Sequence, residues 1–214
     1  MKAPFHTAAV LGAGVMGAQI AAHLANAGLM VHLLELPAKA GNKNDLVEGA
    51  FKKACKLSPP IFYSQQAWKR VILGNYDEHF DRLAQVDWVI EAVVENLAIK
   101  QDLMARVEKT VSKQAVISTN TSGLSIHEIA KGRSQSFRQR FLGTHFFNPP
   151  RYLKLLELIP TVDTDPQVLE RLVEFGRARL GKGVVVAKDT PNFIANRIGV
   201  FVSMLGIKAF TSGD

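Results

Sequence analysis

The decapeptide Ala8-Ala9-Val10-Leu11-Gly12-Ala13-Gly14-Val15-Met16-Gly17 restricts the fold of this chain more than any other segment. A short apolar run leads into a glycine-rich turn, and the turn leads into an alanine-rich stretch with helical spacing of Ile20 and Leu24. Gly12, Gly14 and Gly17 match the pattern G-x-G-x-x-G. Each glycine has a separate physical task. The first permits a tight turn, the second admits a pyrophosphate to the backbone, and the third lets helix pack closely on strand. The helix then opens at Val15 and Met16 with free N–H groups and the positive end of its dipole, which suit a phosphate. A second apolar run ends in Glu35, where an acid would hold the adenine-ribose hydroxyls. No arginine follows Glu35 directly, so NAD is favoured over NADP.

Beyond the turn, strand-like and helix-like segments alternate. Strands are expected at residues 6–11, 29–34, 86–94, 115–118, 141–147, 155–159 and 184–187, with a short extended piece near 74–76. Helices are expected at 15–27, 45–56, 65–72, 97–111, 124–130, 166–180 and 191–210. This pattern predicts an α/β fold, a Rossmann-type doubly wound and mainly parallel sheet. The last helix is apolar around its circumference, through Phe193, Ile198, Phe201, Leu205 and Phe210. Such a helix normally sits inside something. Either the chain is a fragment or dimerisation covers the helix.

Composition narrows the remaining classes. Apolar content of 47% and charged content of 21% suit a globular protein. No apolar run reaches the roughly 18 residues of a membrane span. Residues 1–6 lack the apolar core of a secretory signal. Cys55 is alone, which excludes a disulfide framework and a cysteine-built metal site and favours a reducing, cytoplasmic setting. The net charge is +7, and residues 37–70 carry +5 of it, from seven basic and two acidic residues. Such a stretch suits an anionic ligand or is a solvated helix face; no nucleic-acid recognition motif accompanies it.

His145 ends one apolar run and Glu157 lies inside the next. A neutral imidazole can take a proton near pH 7, and a carboxylate can hold and charge-stabilise it. A carboxylate among Leu155, Leu156, Leu158 and Ile159 also needs a partner.

Four further motifs follow the glycine turn. They are Glu91-Ala92-Val93-Val94-Glu95-Asn96-Leu97-Ala98-Ile99-Lys100, Ser118-Thr119-Asn120-Thr121-Ser122, His145-Phe146-Phe147-Asn148-Pro149, and Asp189-Thr190-Pro191-Asn192-Phe193-Ile194-Ala195-Asn196-Arg197. In this order they resemble the L-3-hydroxyacyl-CoA dehydrogenases of fatty-acid β-oxidation, over almost the whole chain. The wording of residues 151–160 is similar to long forms fused to an enoyl-CoA hydratase.

The resemblance implies NAD-dependent oxidation of an L-3-hydroxyacyl-CoA to a 3-ketoacyl-CoA. It implies His145 as the base acting on the 3-hydroxyl and Glu157 as its carboxylate partner. Ser122 and Asn196 would position the substrate oxygens. Glu95, Lys100, Asn120, Ser122 and Asn148 would lie near the cofactor. Lys52, Lys53 and Lys56 would face the CoA phosphates, and no metal is required. Residues 1–188 as the NAD-binding domain and 189–214 as the first helix of a truncated all-helical domain are implied, with a homodimer through that domain and weak activity of this chain alone. Some relatives are lens crystallins, so a non-catalytic NAD-binding or structural protein on the same fold is the alternative.

Overall fold

The computed structural model describes residues 5–212; the N-terminal reading at residues 1–4 and the last two residues lie outside them. Eight strands form one sheet in the order β3-β2-β1-β4-β5-β6-β7-β8. The strands are β1 (Thr7–Leu11), β2 (Met30–Glu35), β3 (Val71–Asn75), β4 (Trp88–Glu91), β5 (Val116–Thr119), β6 (Phe141–Phe146), β7 (Leu155–Pro160) and β8 (Gly183–Val186). Every neighbouring pair is parallel except β6 with β7. The chain winds outward from β1 to β3, then restarts beside β1 with β4. That reversal makes a crevice beyond the carboxyl ends of β1 and β4, where open α/β sheets take ligands. The expected doubly wound, mainly parallel sheet is present.

Helix α1 (Val15–Asn26) lies against the sheet, and its residues from Gly17 to Ala25 are all buried. The glycine and alanines among them permit the close approach. Helix α2 (Asp45–Ala54) buries Val47, Phe51 and Ala54 and leaves Lys52 and Lys53 exposed. Helix α4 (Leu97–Thr110) starts where the Asn96 side chain accepts a hydrogen bond from the Ile99 N–H. Helix α7 (Pro166–Ala178) starts at Asp165, which accepts from Gln167, with Pro166 in the first helical position. On one side of the sheet Trp88 packs against Phe5 and Phe175, with ring centroids 5.4 and 6.1 Å away.

Several expected boundaries move. The helix expected at 65–72 is only α3 (Gln65–Trp68), because Val71 and Ile72 pair with Val31 and His32 as part of β3. β-branched residues beside an open strand edge gain more from the ladder than from another helical turn. Three short helical pieces cover Phe80–Gln85, α5 (Ile126–Ile129) and α6 (Gln135–Arg138). The last helix, α8 (Ala195–Ser212), begins at Ala195 rather than at Pro191. Asn192 and Phe193 have φ of 63° and 48°, so the chain makes a left-handed turn there instead of a helix. Two such non-glycine residues cost about 1–3 kcal/mol each, and the surroundings of Phe193 show what holds them. No described helix is long and apolar enough to cross a membrane.

Candidate active site

The dinucleotide end of the crevice is shaped by its glycines. Gly12 has φ of 99°, and a Cβ there would lie 2.6 Å from the Ala92 carbonyl oxygen. A Cβ on Gly17 would meet the Gly12 oxygen at 1.8 Å. Gly14 is different: a Cβ on it would touch nothing within 4 Å. The close packing therefore demands Gly12 and Gly17, whereas Gly14 faces open space in front of the helix. Gly14 supplies no side-chain cap to α1. The N–H groups of Val15, Met16 and Gly17 precede the first intrahelical donor, Ala18, and remain available to an anion.

Glu35 closes this end. Its carboxylate accepts from the Ala13 N–H at 2.7 Å and the Leu36 N–H at 2.8 Å. Gly12, Gly14, Glu35, Leu36, Tyr76, Val93, Ile99 and Arg106 border a mostly apolar cleft of about 400 Å³. An apolar slot ending in a fixed carboxylate, beside a glycine backbone with free N–H groups, fits an adenosine diphosphate moiety.

Further along the crevice, β6 and β7 set His145 directly opposite Glu157 in their antiparallel register. The ring Nδ1 lies 2.8 Å from Glu157 Oε2. Both residues are buried, at 5% and 0% exposure. The other carboxylate oxygen accepts from the backbone N–H groups of Ile194 (3.1 Å) and Ala195 (2.8 Å). Those donors belong to the turn that opens α8. A buried carboxylate with one ring N–H and two amide N–H partners is satisfied as an anion. The left-handed turn is thereby explained in part: it seats the buried Phe193 ring 5.7 Å from the His145 ring and aims two amides at Glu157. Phe147 packs on His145 at 4.4 Å. Among the described residues, none hydrogen-bonds His145 Nε2.

A second network lies at the ends of β4 and β5. Lys100 is 1% exposed, with Nζ 2.6 Å from Glu91 Oε1 and 3.3 Å from Glu95 Oε2. It is no solvated helix charge. Glu91 also accepts from the Thr119 hydroxyl and the Val93 N–H. Glu95 accepts from the Thr121 hydroxyl and the Ser122 N–H. Burial pushes the Glu95 carboxyl up, but the Thr121 hydroxyl, the Lys100 ammonium and the Ser122 amide outweigh it and hold its pKa below the usual carboxylate value. Asn120 ties this network to β6, since its Oδ1 accepts from the Phe146 N–H at 2.9 Å.

Ser122 is exposed and does not cap the following helix; Ser125 does, accepting from Glu128. Asn196 Nδ2 donates to the Ser122 carbonyl at 3.2 Å. Residues 194–196 thus touch both Glu157 and Ser122 and join the two networks. Asp189, in the same C-terminal motif, accepts from Ser125, Ile126 and His127 and fixes the start of α5. Asn148 follows His145 by three residues, and its Oδ1 accepts from Gln19 on α1 at 3.0 Å.

Of the three candidate lysines, Lys53 borders a cleft of about 520 Å³ between the glycine turn and α2 that Gly14, Val15 and Leu57 also line. Lys52 and Lys56 are exposed on the same segment and do not border it. Glu91 and Gln19 were missed by the sequence reading. Glu91 had one signal, a lone charge closing the apolar run of β4. Gln19, inside a helix, had none.

Comparison with known proteins agrees with this geometry. The family model "3-hydroxyacyl-CoA dehydrogenase, NAD binding domain" matches residues 7–190. A probable 3-hydroxyacyl-CoA dehydrogenase of Deinococcus radiodurans is 52% identical over 91% of this chain and 56% of its own length. One of Bacillus subtilis is 45% identical over 96% of this chain and 28% of its own length. The chain therefore spans about half the length of the first relative and about a quarter of the second. The crystal structure of FadB2 from M. tuberculosis superposes with a TM-score of 0.82 at 31% identity, over 99% of this chain and 73% of that one. The chain belongs to the 3-hydroxyacyl-CoA dehydrogenase family and comprises its NAD-binding domain.

Proposed function

We propose that the chain carries the cofactor half and the proton-transfer pair of an enzyme that oxidises L-3-hydroxyacyl-CoA to 3-ketoacyl-CoA in fatty-acid β-oxidation. The observation that carries the reading is the cross-strand His145–Glu157 pair, with Glu157 braced by two backbone amides. Glu157 accepts a hydrogen bond from Nδ1–H, which leaves the Nε2 lone pair to take a proton from the 3-hydroxyl. As that proton arrives the ring becomes cationic, and the adjacent carboxylate stabilises it. NAD, when bound, accepts the hydride from C3.

The residues present fit that cofactor. The amides of Val15, Met16 and Gly17, the space in front of Gly14, and Glu35 would hold the adenosine diphosphate. Glu95, Lys100, Asn120, Ser122 and Asn148 would surround the nicotinamide half, with Ser122 and Asn196 toward the substrate oxygens. Glu91 would hold Lys100 in place from below. Lys53 is the most favourably placed of the three lysines for a CoA phosphate, with Lys52 and Lys56 offering longer-range charge.

We also infer that residues 1–188 act as the NAD-binding unit and that 189–214 begin a separate helical one. Phe201, Leu205 and Phe210 are exposed on α8, which supports packing against a further helical layer or a second subunit. The test is reduction of acetoacetyl-CoA by NADH with the full-length gene product, followed at 340 nm. Activity in the parent, with loss in His145→Ala, is expected. An inactive parent, or an unimpaired His145→Ala, would overturn the assignment.

A further inference from the structure

Gln19 lies within α1, is 4% exposed, and makes two hydrogen bonds from one atom. Its Nε2 donates to the Val15 carbonyl at 3.0 Å and to Asn148 Oδ1 at 3.0 Å. The Val15 carbonyl can only accept, so the atom facing it must be the amide nitrogen of Gln19. With the Gln19 orientation settled, Asn148 must turn its oxygen inward. Its Nδ2 is thereby directed away from α1, and among the described residues no acceptor meets it. A tie across 129 positions of sequence thus determines which end of an exposed amide is offered at the start of the cofactor helix.

We propose that Gln19 is a positioning residue for the cofactor: it orients Asn148 so that this side chain presents a donor to an acceptor oxygen in the nicotinamide half of NAD. The proposal rests on the reading of Asn148 as a cofactor contact. It adds the sign of that contact and the residue that sets it. It also accounts for a polar side chain buried on the otherwise alanine-rich face of α1.

The test is NADH affinity of the 214-residue chain, measured by NADH fluorescence, alongside its melting temperature without cofactor. A net hydrogen bond of ordinary strength corresponds to about a fivefold change in Kd. Asn148→Ala is expected to raise Kd about fivefold. Gln19→Leu should raise it only about twofold, because the freed amide of Asn148 then presents its donor in about half of its orientations. The double variant should bind no more weakly than Asn148→Ala alone. Gln19→Glu should raise Kd about fivefold, as Asn148→Ala does, since a carboxylate would draw Asn148 Nδ2 inward and reverse the amide. Asn148→Asp keeps the bond from Gln19 but has no donor to offer, and should lose as much affinity as Asn148→Ala. If Asn148→Ala weakens binding while Gln19→Glu leaves Kd within twofold of the parent, the inference is wrong, whatever happens to the melting temperature. If Asn148→Ala itself leaves Kd unchanged, the underlying reading of Asn148 falls, and the inference with it.

Discussion

Replacing Glu157 by Gln removes one charge and almost no volume, and the surroundings decide what happens next. Three donors now converge on the carboxylate: the His145 Nδ1–H on one oxygen, and the Ile194 and Ala195 amides on the other. A glutamine has one acceptor oxygen and one NH₂. If its NH₂ faced the two amides, two buried backbone donors would lose their acceptor at about 1–3 kcal/mol each. The oxygen therefore goes to the amides and the NH₂ to the ring. His145 must then accept at Nδ1 and carry its proton on Nε2, the nitrogen that has to receive the substrate proton. Loss of general-base function corresponds to about 10²–10⁴-fold in rate. Stability should fall less, by about 1–3 kcal/mol, since three charge-assisted bonds become neutral while a buried charge disappears. The assay is kcat for 3-hydroxybutyryl-CoA oxidation in the full-length protein, with urea denaturation as the companion measurement. The nitrogen shifts of His145 report the tautomer. Retention of kcat within fivefold of the parent, with the protein folded, would refute the reasoning.

Other perturbations test other parts of the account. Gly14→Ala should leave stability within about 0.5 kcal/mol, because its Cβ meets nothing within 4 Å, yet weaken NADH binding at least tenfold by filling the phosphate space; intact NADH affinity would mean the phosphates lie elsewhere. Lys100→Met strands Glu91 and should destabilise the chain by about 3–5 kcal/mol in urea unfolding; a loss below 1 kcal/mol would show that the Lys100–Glu91 pair does not hold this part of the fold. His23 is buried on α1, and burial first, then the nearby Lys182 and Arg151 charges, lower its pKa from 6.5 to about 4. The unfolded chain then binds a proton that the folded one refuses between those values. Stability should drop by about 3 kcal/mol as pH falls from 7 to 4. His23→Phe should flatten that part of the profile, and an unchanged slope would contradict it. The 214-residue chain alone should bind NADH but reduce acetoacetyl-CoA slowly, because Asn196 sits on a helix whose apolar residues are open to water; robust turnover by this chain would contradict that.

What could be read from the sequence divides along a physical line. The glycine turn was legible because Gly12 and Gly17 meet backbone atoms that no side chain could tolerate. His145 and Glu157 were legible as a pair because an acid in an apolar strand needs a partner, although only the β6–β7 register shows them facing each other. The start of α8 was misplaced because Pro191 is a common first helical residue, and tertiary contacts to His145 and Glu157 override that preference. Lys100 was placed near the cofactor only by the family resemblance, and its buried pairing with Glu91 becomes visible only in the fold. Gln19 carried no local signal, since its partner lies 129 positions away in sequence. The three lysines of the basic stretch looked alike in sequence, and only the fold sets Lys53 on the cleft that Lys52 and Lys56 do not line.

The most direct test is a crystal structure of the full-length protein with NAD and acetoacetyl-CoA bound. The account predicts His145 Nε2 within about 2.6–3.2 Å of the 3-keto oxygen, with Nδ1 still on Glu157. An Nε2 turned away from that oxygen, or a different side chain hydrogen-bonded to it in its place, would contradict the central claim.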